Sequence, residues 1–370
     1  MTDARNEGMS GLANGQGCAV SRRGFVTGVA AAAILPATSS RLLAATRELK
    51  VATYGGSWQK AIESYIAPDM EKGGAKLSFT ISSPDDNLAK VIAAKRYGDV
   101  PFDVMDGTPY LYNDALKTGL ISKIDYDKIS RRKDVPAIVL NEAQVIVEWS
   151  PDCIVYNADK LKEAGITPPK SYSELINNPK LKGRIAFPGT GHPQHWAAVV
   201  GLARENGGDE SKMSMVPGLV KQMAPAYFYS NSNELSTRFA SGEIWVAPWG
   251  AGWGVRLKRG GVPVAVSYTK FGDSVGALWP NIKWMINGTK NGDLVHRYID
   301  LWLGVEGPAK FCEATGTVPV NSKSREIMLQ DEANKQMLLL TDAQIEKAYT
   351  VDWARFDVKA WRDLWVRNVQ

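Results

Sequence analysis

From Leu49 onward, short β-rich runs alternate with stretches of helical periodicity. LKVATYG predicts a strand, Ser57 to Glu71 a helix, KLSFTIS a strand, Asp86 to Lys95 a helix and FDVMDG a strand. The Gly-Gly-Ser before Trp58 supplies a tight turn and an N-cap for the first of these helices. After a mixed stretch at 140 to 156 the pattern resumes. GRIAFPG, AYFYS and GEIWVAPW read as strands, and His192 to Glu205 and Asn233 to Ala240 as the helices between them. IKWMING is a further strand, followed by helices at Leu294 to Leu303 and Pro308 to Ala314 and a Trp-bearing helix near Val358 to Val366. This alternation predicts an α/β fold with a mostly parallel sheet, whose ligands gather at strand carboxyl ends. At 370 residues the chain exceeds one ordinary domain, so two lobes are expected.

Composition narrows the function. Hydrophobic residues at 44% and charged residues at 22% are ordinary for a folded globular chain. The net charge is +5, and +3 once the first 45 residues are set aside, which leaves no case for a nucleic-acid groove. The one dense basic run, Arg131-Arg132-Lys133, reads as a solvated turn. Cys18, Cys153 and Cys312 are too few and too scattered for a disulfide framework or a cysteine metal site, and only Cys153 with Cys312 could pair in a processed chain. Ser21 to Val26, SRRGFV, opens an alanine-rich apolar stretch from Gly28 to Leu35 that ends at Pro36. This layout is that of an export signal of twin-arginine type, with cleavage near Ala45 and a mature chain outside the cytoplasm. The apolar run is too short to span a bilayer.

No Walker loop, dinucleotide fingerprint or G-x-S-x-G elbow occurs in the sequence. Its three histidines offer a metal only His192 and His195, with no carboxylates placed beside them. No catalytic residue, cofactor or metal is therefore expected. Aromatic residues are abundant instead. Trp245, Trp249, Trp253, Trp279 and Trp284 fall within forty residues, and Tyr54 and Trp58 sit at the end of the first strand. Trp245, Trp284, Trp302, Trp361 and Trp365 are assigned to packing. Tyr54, Trp249 and Trp279 are expected where strands hand over to Gly- or Pro-bearing loops, as faces able to hold a cation.

Several runs, in this order and spacing, carry a resemblance over nearly all of 48 to 340. They are LKVATYGGSW, YGDVPFDVMDGTPYL with LKTGLISKID, SPDCIVYNADKL with SYSELINNPKLKGRIAFPG, FASGEIWVAPWGAGWGVRLKRGG, and KWMINGTKNGDLVHRYIDLWL leading into GTVPVN. Together they resemble extracellular solute-binding proteins of ATP-binding-cassette importers, in the spermidine/putrescine-binding branch. The resemblance implies a two-lobed, type 2 periplasmic-binding fold, each lobe a mixed sheet flanked by helices, with two crossover hinge strands near Asp152 and near Pro280. Residues 46–152 with 280–325 would form one lobe, and 153–279 with 326–370 the other. It further implies a periplasmic monomer that closes on a small amine-containing solute and delivers it to an inner-membrane ABC permease, after export by the twin-arginine translocase.

In the polyamine branch three aromatics line the cleft, and Tyr54, Trp249 and Trp279 match them. The aspartate that follows the third aromatic is Asn281 here, and the loop that carries acids in polyamine binders is PGTGHPQ, with Thr190, His192 and Gln194. This favours a ligand with one amine and one carboxylate or phosphonate over a diamine. Asp106, beside Thr108 at a strand end, is the acid expected to meet the amine, with Asp85 or Asp86 as other choices. Ser57, Trp58 and Asn231 complete the expected ligand set. Ferric iron would need adjacent tyrosines after GEIWVAPW, and Tyr227 with Tyr229 belongs to an earlier strand. A sugar is a further alternative ligand, and an exported cofactor or metal enzyme is the alternative from another class.

Overall fold

The computed structural model describes residues 46–369, and the export signal read at 1–45 lies outside the described residues. The first strand, Arg47–Thr53, runs parallel to Ala75–Ile81 on one side and to Val104–Gly107 on the other, with Val51 facing both Phe79 and Val104. Helices connect these strands. The single helix expected from Ser57 to Glu71 is two, Ser57–Tyr65 and Ala67–Lys72. Pro68 is the cause: it lacks an N–H and is tolerated only in a first helical turn, so the helix restarts there. Pro84–Lys95 follows, capped by Ser83, whose side chain accepts from the Asp86 N–H.

Two long strands join the lobes. Val145–Asn157 and Ala277–Ile286 run antiparallel, with Asp152 opposite Ala277 and Glu148 opposite Asn281. Toward one end they pair with Val104–Gly107 and Val318–Pro319, and toward the other the long strand pairs with Val246–Gly250 and Val264–Ser267. The sheet is therefore mixed where β-α alternation alone predicts a mostly parallel one. Parallel neighbours need crossover helices, whereas strands that simply return along one another pair antiparallel. Trp279 lies inside a strand and not at its exit, because Pro280 is accommodated next to a register shift between Asn281 and Ile282. A short parallel pair, Ala186–Pro188 with Tyr227–Tyr229, borders the second lobe.

Buried apolar residues fall into two clusters. One apolar cluster gathers Val51, Met105, Trp284 and Trp302, and another gathers Phe187, Trp196, Trp361 and Trp365. The helix Val358–Asn368 brings the last two tryptophans onto His195. Of the tryptophans assigned to packing, Trp284, Trp302, Trp361 and Trp365 are buried, while Trp245 is half-buried beneath the Arg184 guanidinium. Cys153 and Cys312 are both free and buried. They do not approach each other; the Cys153 thiol faces the Trp249 carbonyl and the Cys312 thiol faces Glu148.

Candidate functional site

A cavity of about 430 Å³ opens over the middle of the two long strands, where Ser150, Trp279 and Asn281 form its floor. Four helices present their first residues to it: Ser57–Tyr65, Gln194–Glu205, Ser232–Ala240 and Ala251–Arg259. Two of the four, Ser57–Tyr65 and Ala251–Arg259, have no side-chain cap bond, so their leading N–H groups are left for whatever occupies the cavity. Converging helix N-termini give a positive potential that favours anions.

Arg256 adds a full charge. It sits one helical turn beyond Trp253, over whose ring its guanidinium lies at 4.4 Å, and one of its terminal nitrogens donates to the Thr315 carbonyl. It enters no ion pair among the described residues, and its Nε is buried with no partner there. Burial lowers its pKa to about 10, so it remains a cation at neutral pH. Among the described residues that line the cavity there is no aspartate or glutamate. The close packing here depends on Gly252, where a Cβ would come within 2.0 Å of the Gly316 carbonyl oxygen.

A relay of polar groups sets one further donor. The Gln194 N–H points to His192 Nδ1, so His192 Nε2 carries the proton and donates to Ser232 Oγ at 2.9 Å. Trp249 Nε1 donates to the same oxygen at 3.0 Å. With both acceptor positions of Ser232 filled, its hydroxyl proton is free for the cavity it lines. Burial holds the His192 imidazole neutral, with a pKa lowered to about 3. His195 turns the other way, bonding the Pro188 carbonyl and accepting from Trp361 Nε1, so the two histidines do not converge on a metal.

The lining includes seven of the expected residues: Tyr54, Ser57, Trp58, His192, Asn231, Trp279 and Asn281. Tyr54 and Trp58 meet edge to face at 5.5 Å, and Asn281 donates to Ser150 Oγ. Four expected residues lie elsewhere. Trp249 is fully buried, stacked between Phe239 and Trp253, and it is Trp253 that faces the cavity. Asp106 is taken up by buried Lys283 and by Thr53 Oγ1 at 2.5 Å, so it is not free for a ligand amine. Thr108 instead donates to Asp85 at 3.2 Å. Thr190 belongs to the loop before His192 but not to the lining. Sequence reasoning missed Trp253 and Arg256, although their spacing of three in a helix opened by Gly250-Ala251-Gly252 places both on one face. It also missed Lys283, a lone lysine in an otherwise apolar strand and hence a sign of a buried ion pair.

Residues 64–339 match the family model for bacterial extracellular solute-binding proteins. The spermidine/putrescine-binding periplasmic protein of Escherichia coli is 21% identical over 287 residues, covering 74% of this chain and 80% of its own. Among solved structures, a GABA receptor superposes with a TM-score of 0.70 at 21% identity, over 87% of this chain and 96% of that one. A periplasmic binding protein of Agrobacterium tumefaciens in complex with agropinic acid superposes with a TM-score of 0.66 at 19% identity, over 87% and 98%. These likenesses establish the type 2 periplasmic-binding fold.

Proposed function

Because the chain belongs to the family of bacterial extracellular solute-binding proteins, we propose that it captures a small solute carrying one acidic group and one amine and delivers it to an inner-membrane ABC permease. The observation that carries the ligand class is Arg256, an unpaired cation in a cavity without a lining carboxylate. A di- or polyammonium ligand would meet Arg256 and four positive helix ends with no acid in the lining to answer each of its charges, and an uncompensated buried charge of that kind is costly. A carboxylate or phosphonate placed at Arg256, the Ser232 hydroxyl and the helix N-termini completes their hydrogen bonds. The amine then lies over the aromatic faces of Tyr54, Trp58 and Trp279. The relatives include a polyamine-binding protein, a GABA receptor and a protein solved with agropinic acid, the last two in keeping with an acidic ligand.

In this reading residues 46–152 with 280–325 and residues 153–279 with 326–370 are the two lobes, and they close by bending where the long strands cross. Ligand favours the closed form by its differential affinity for it. The protein works as a monomer in the periplasm after twin-arginine export and cleavage near Ala45. The test is thermal unfolding of the chain from Thr46 against 4-aminobutyrate, aminophosphonates, putrescine, spermidine, sugars and ferric citrate. Ligand at a hundred times its Kd adds about 2.7 kcal/mol. The expected result is a shift with amine-bearing acids that Arg256→Leu abolishes. A shift confined to putrescine and spermidine refutes the reading.

A further inference from the structure

Beneath the cavity floor the long strand places Glu148, Ser150 and Asp152 on one face, since alternate residues of a strand share a side. Ser150 lines the cavity, while the acids on either side of it are buried at 0% and 3% exposure. Each keeps one carboxyl oxygen without a partner among the described residues. Glu148 Oε2 accepts from Thr317, itself a lining residue, and faces the Cys312 thiol. The cross-strand partner of Glu148 is Asn281, also in the lining. The other groups that face Glu148 are Lys283 and Asp106 from neighbouring strands, Tyr54 from the end of the first strand and Tyr298 from the helix Gly292–Trp302. Lys283 is already paired to Asp106. An ionised Glu148 would thus be a buried anion with an unbonded oxygen and a spent counter-ion, which favours the protonated acid.

We propose that Glu148 is the counter-charge for the ligand's ammonium group: it holds a proton while the cleft is empty and releases it when an ammonium enters above Thr317 and Asn281. The step balances as one proton lost from the Glu148 carboxyl to solvent for one positive charge brought into the cavity. It rests on the amine half of the ligand reading above. Among the described residues no cation lies near Asp152, whose polar neighbour is the Gln194 side chain, and it keeps its proton throughout. The direction agrees with the effect of burial, which raises the Glu148 pKa to about 8 and that of Asp152 well above its ordinary value. The arrangement lets a cleft with no lining carboxylate accept an ammonium without leaving an unpaired buried anion in the empty state.

The experiment combines infrared spectroscopy of the empty protein with calorimetry in buffers of different ionisation enthalpy. Near pH 6 the empty wild-type protein should show carbonyl bands of two protonated carboxylic acids, one lost in Glu148→Gln and the other in Asp152→Asn. Binding of 4-aminobutyrate near neutral pH should release close to one proton in the wild type and in D152N but none in E148Q. Butyrate, which lacks the ammonium, should release none. The affinity for 4-aminobutyrate should rise about tenfold per pH unit from about pH 5 to about pH 7 and stay flat in E148Q. Absence of the band assigned to Glu148, or amine binding without proton release, overturns the proposal. So does loss of that release in D152N. If none of the probes binds, the ligand reading fails, and the band of the empty protein that Glu148→Gln removes, which needs no ligand, decides the state of Glu148.

Discussion

The wall and the floor of the cleft treat charge in opposite ways. The wall leaves it unanswered: four helix N-termini and Arg256 face the cavity with no acid among the described lining residues. The floor cancels it. Lys283 at 1% exposure is joined to Asp106 and lies 4.3 Å from the Trp302 ring, and its pKa, pushed down by burial, is carried above the usual range by Asp106. A wall meant to bind must keep its hydrogen-bonding capacity open, whereas a floor that carries both crossover strands must be neutral to remain folded. The same residue types thus have different roles a few residues apart, and partners rather than residue identity distinguish them.

The floor should be the most sensitive part of the molecule. Lys283→Met strands the Asp106 carboxylate in an apolar layer and should cost about 3–5 kcal/mol, read as a lower urea midpoint. Adding Asp106→Asn should return most of that loss; a double variant as unstable as the single one would show that the cost lies in packing and not in charge. The wall should respond in the reverse sense. Arg256→Leu removes a cation that burial disfavours, so the unfolding midpoint should hold or rise. Affinity for 4-aminobutyrate should nevertheless fall by about 2–5 kcal/mol. An unchanged Kd would detach Arg256 from ligand binding.

Two histidines three residues apart sharpen the contrast. His192 belongs to the wall and His195 to the core, yet burial lowers both, to about 3 and about 4 from an ordinary 6.5. Both rings are neutral in the fold and take up a proton on unfolding, so their contribution is complete above pH 6.5 and is lost as the pH falls toward 4. At pH 5 each should account for about 2 kcal/mol, and His195→Gln should flatten its share of the acid limb of a stability-pH profile. A profile of the variant parallel to that of the wild type would remove His195 from the acid response.

Strand and helix positions were readable from periodicity because the burial that forms them acts over neighbouring residues. The expected Tyr54 and Trp58 line the cavity for that reason: they follow the end of a strand, where α/β folds open toward ligands. What could not be read is which of two adjacent candidates faces inward. Trp249 and Trp253 stack at 5.3 Å with nearly parallel rings, and only the turn at Gly250 decides that the second is exposed to the cavity. Asp106 failed as a ligand candidate because its partner is 177 residues away in the chain. Pairings at that distance are a property of the sheet, and the lone lysine in IKWMI was their one local trace.

The smallest expected effect lies at the cleft's edge. The helix Val358–Asn368, packed on the cluster around Trp196, extends Arg362 to Asp85 at 3.3 Å in the helix Pro84–Lys95. Tyr110 joins them, donating to Asp85 at 2.9 Å while its ring packs against Trp196, Trp279 and Trp353. Both charged side chains are about two-fifths exposed, 40% and 38%, so solvent screens the pair and its contribution should be at most about 1 kcal/mol. A weak link suits this place in the function proposed above, since a cleft that closes on a solute and then delivers it has to reopen. Arg362→Gln should therefore change the affinity for 4-aminobutyrate by no more than about fivefold, with a small gain in the radius of gyration of the empty protein by solution scattering. A much larger loss would mean that the terminal helix, and not the crossover strands alone, sets how far the lobes open.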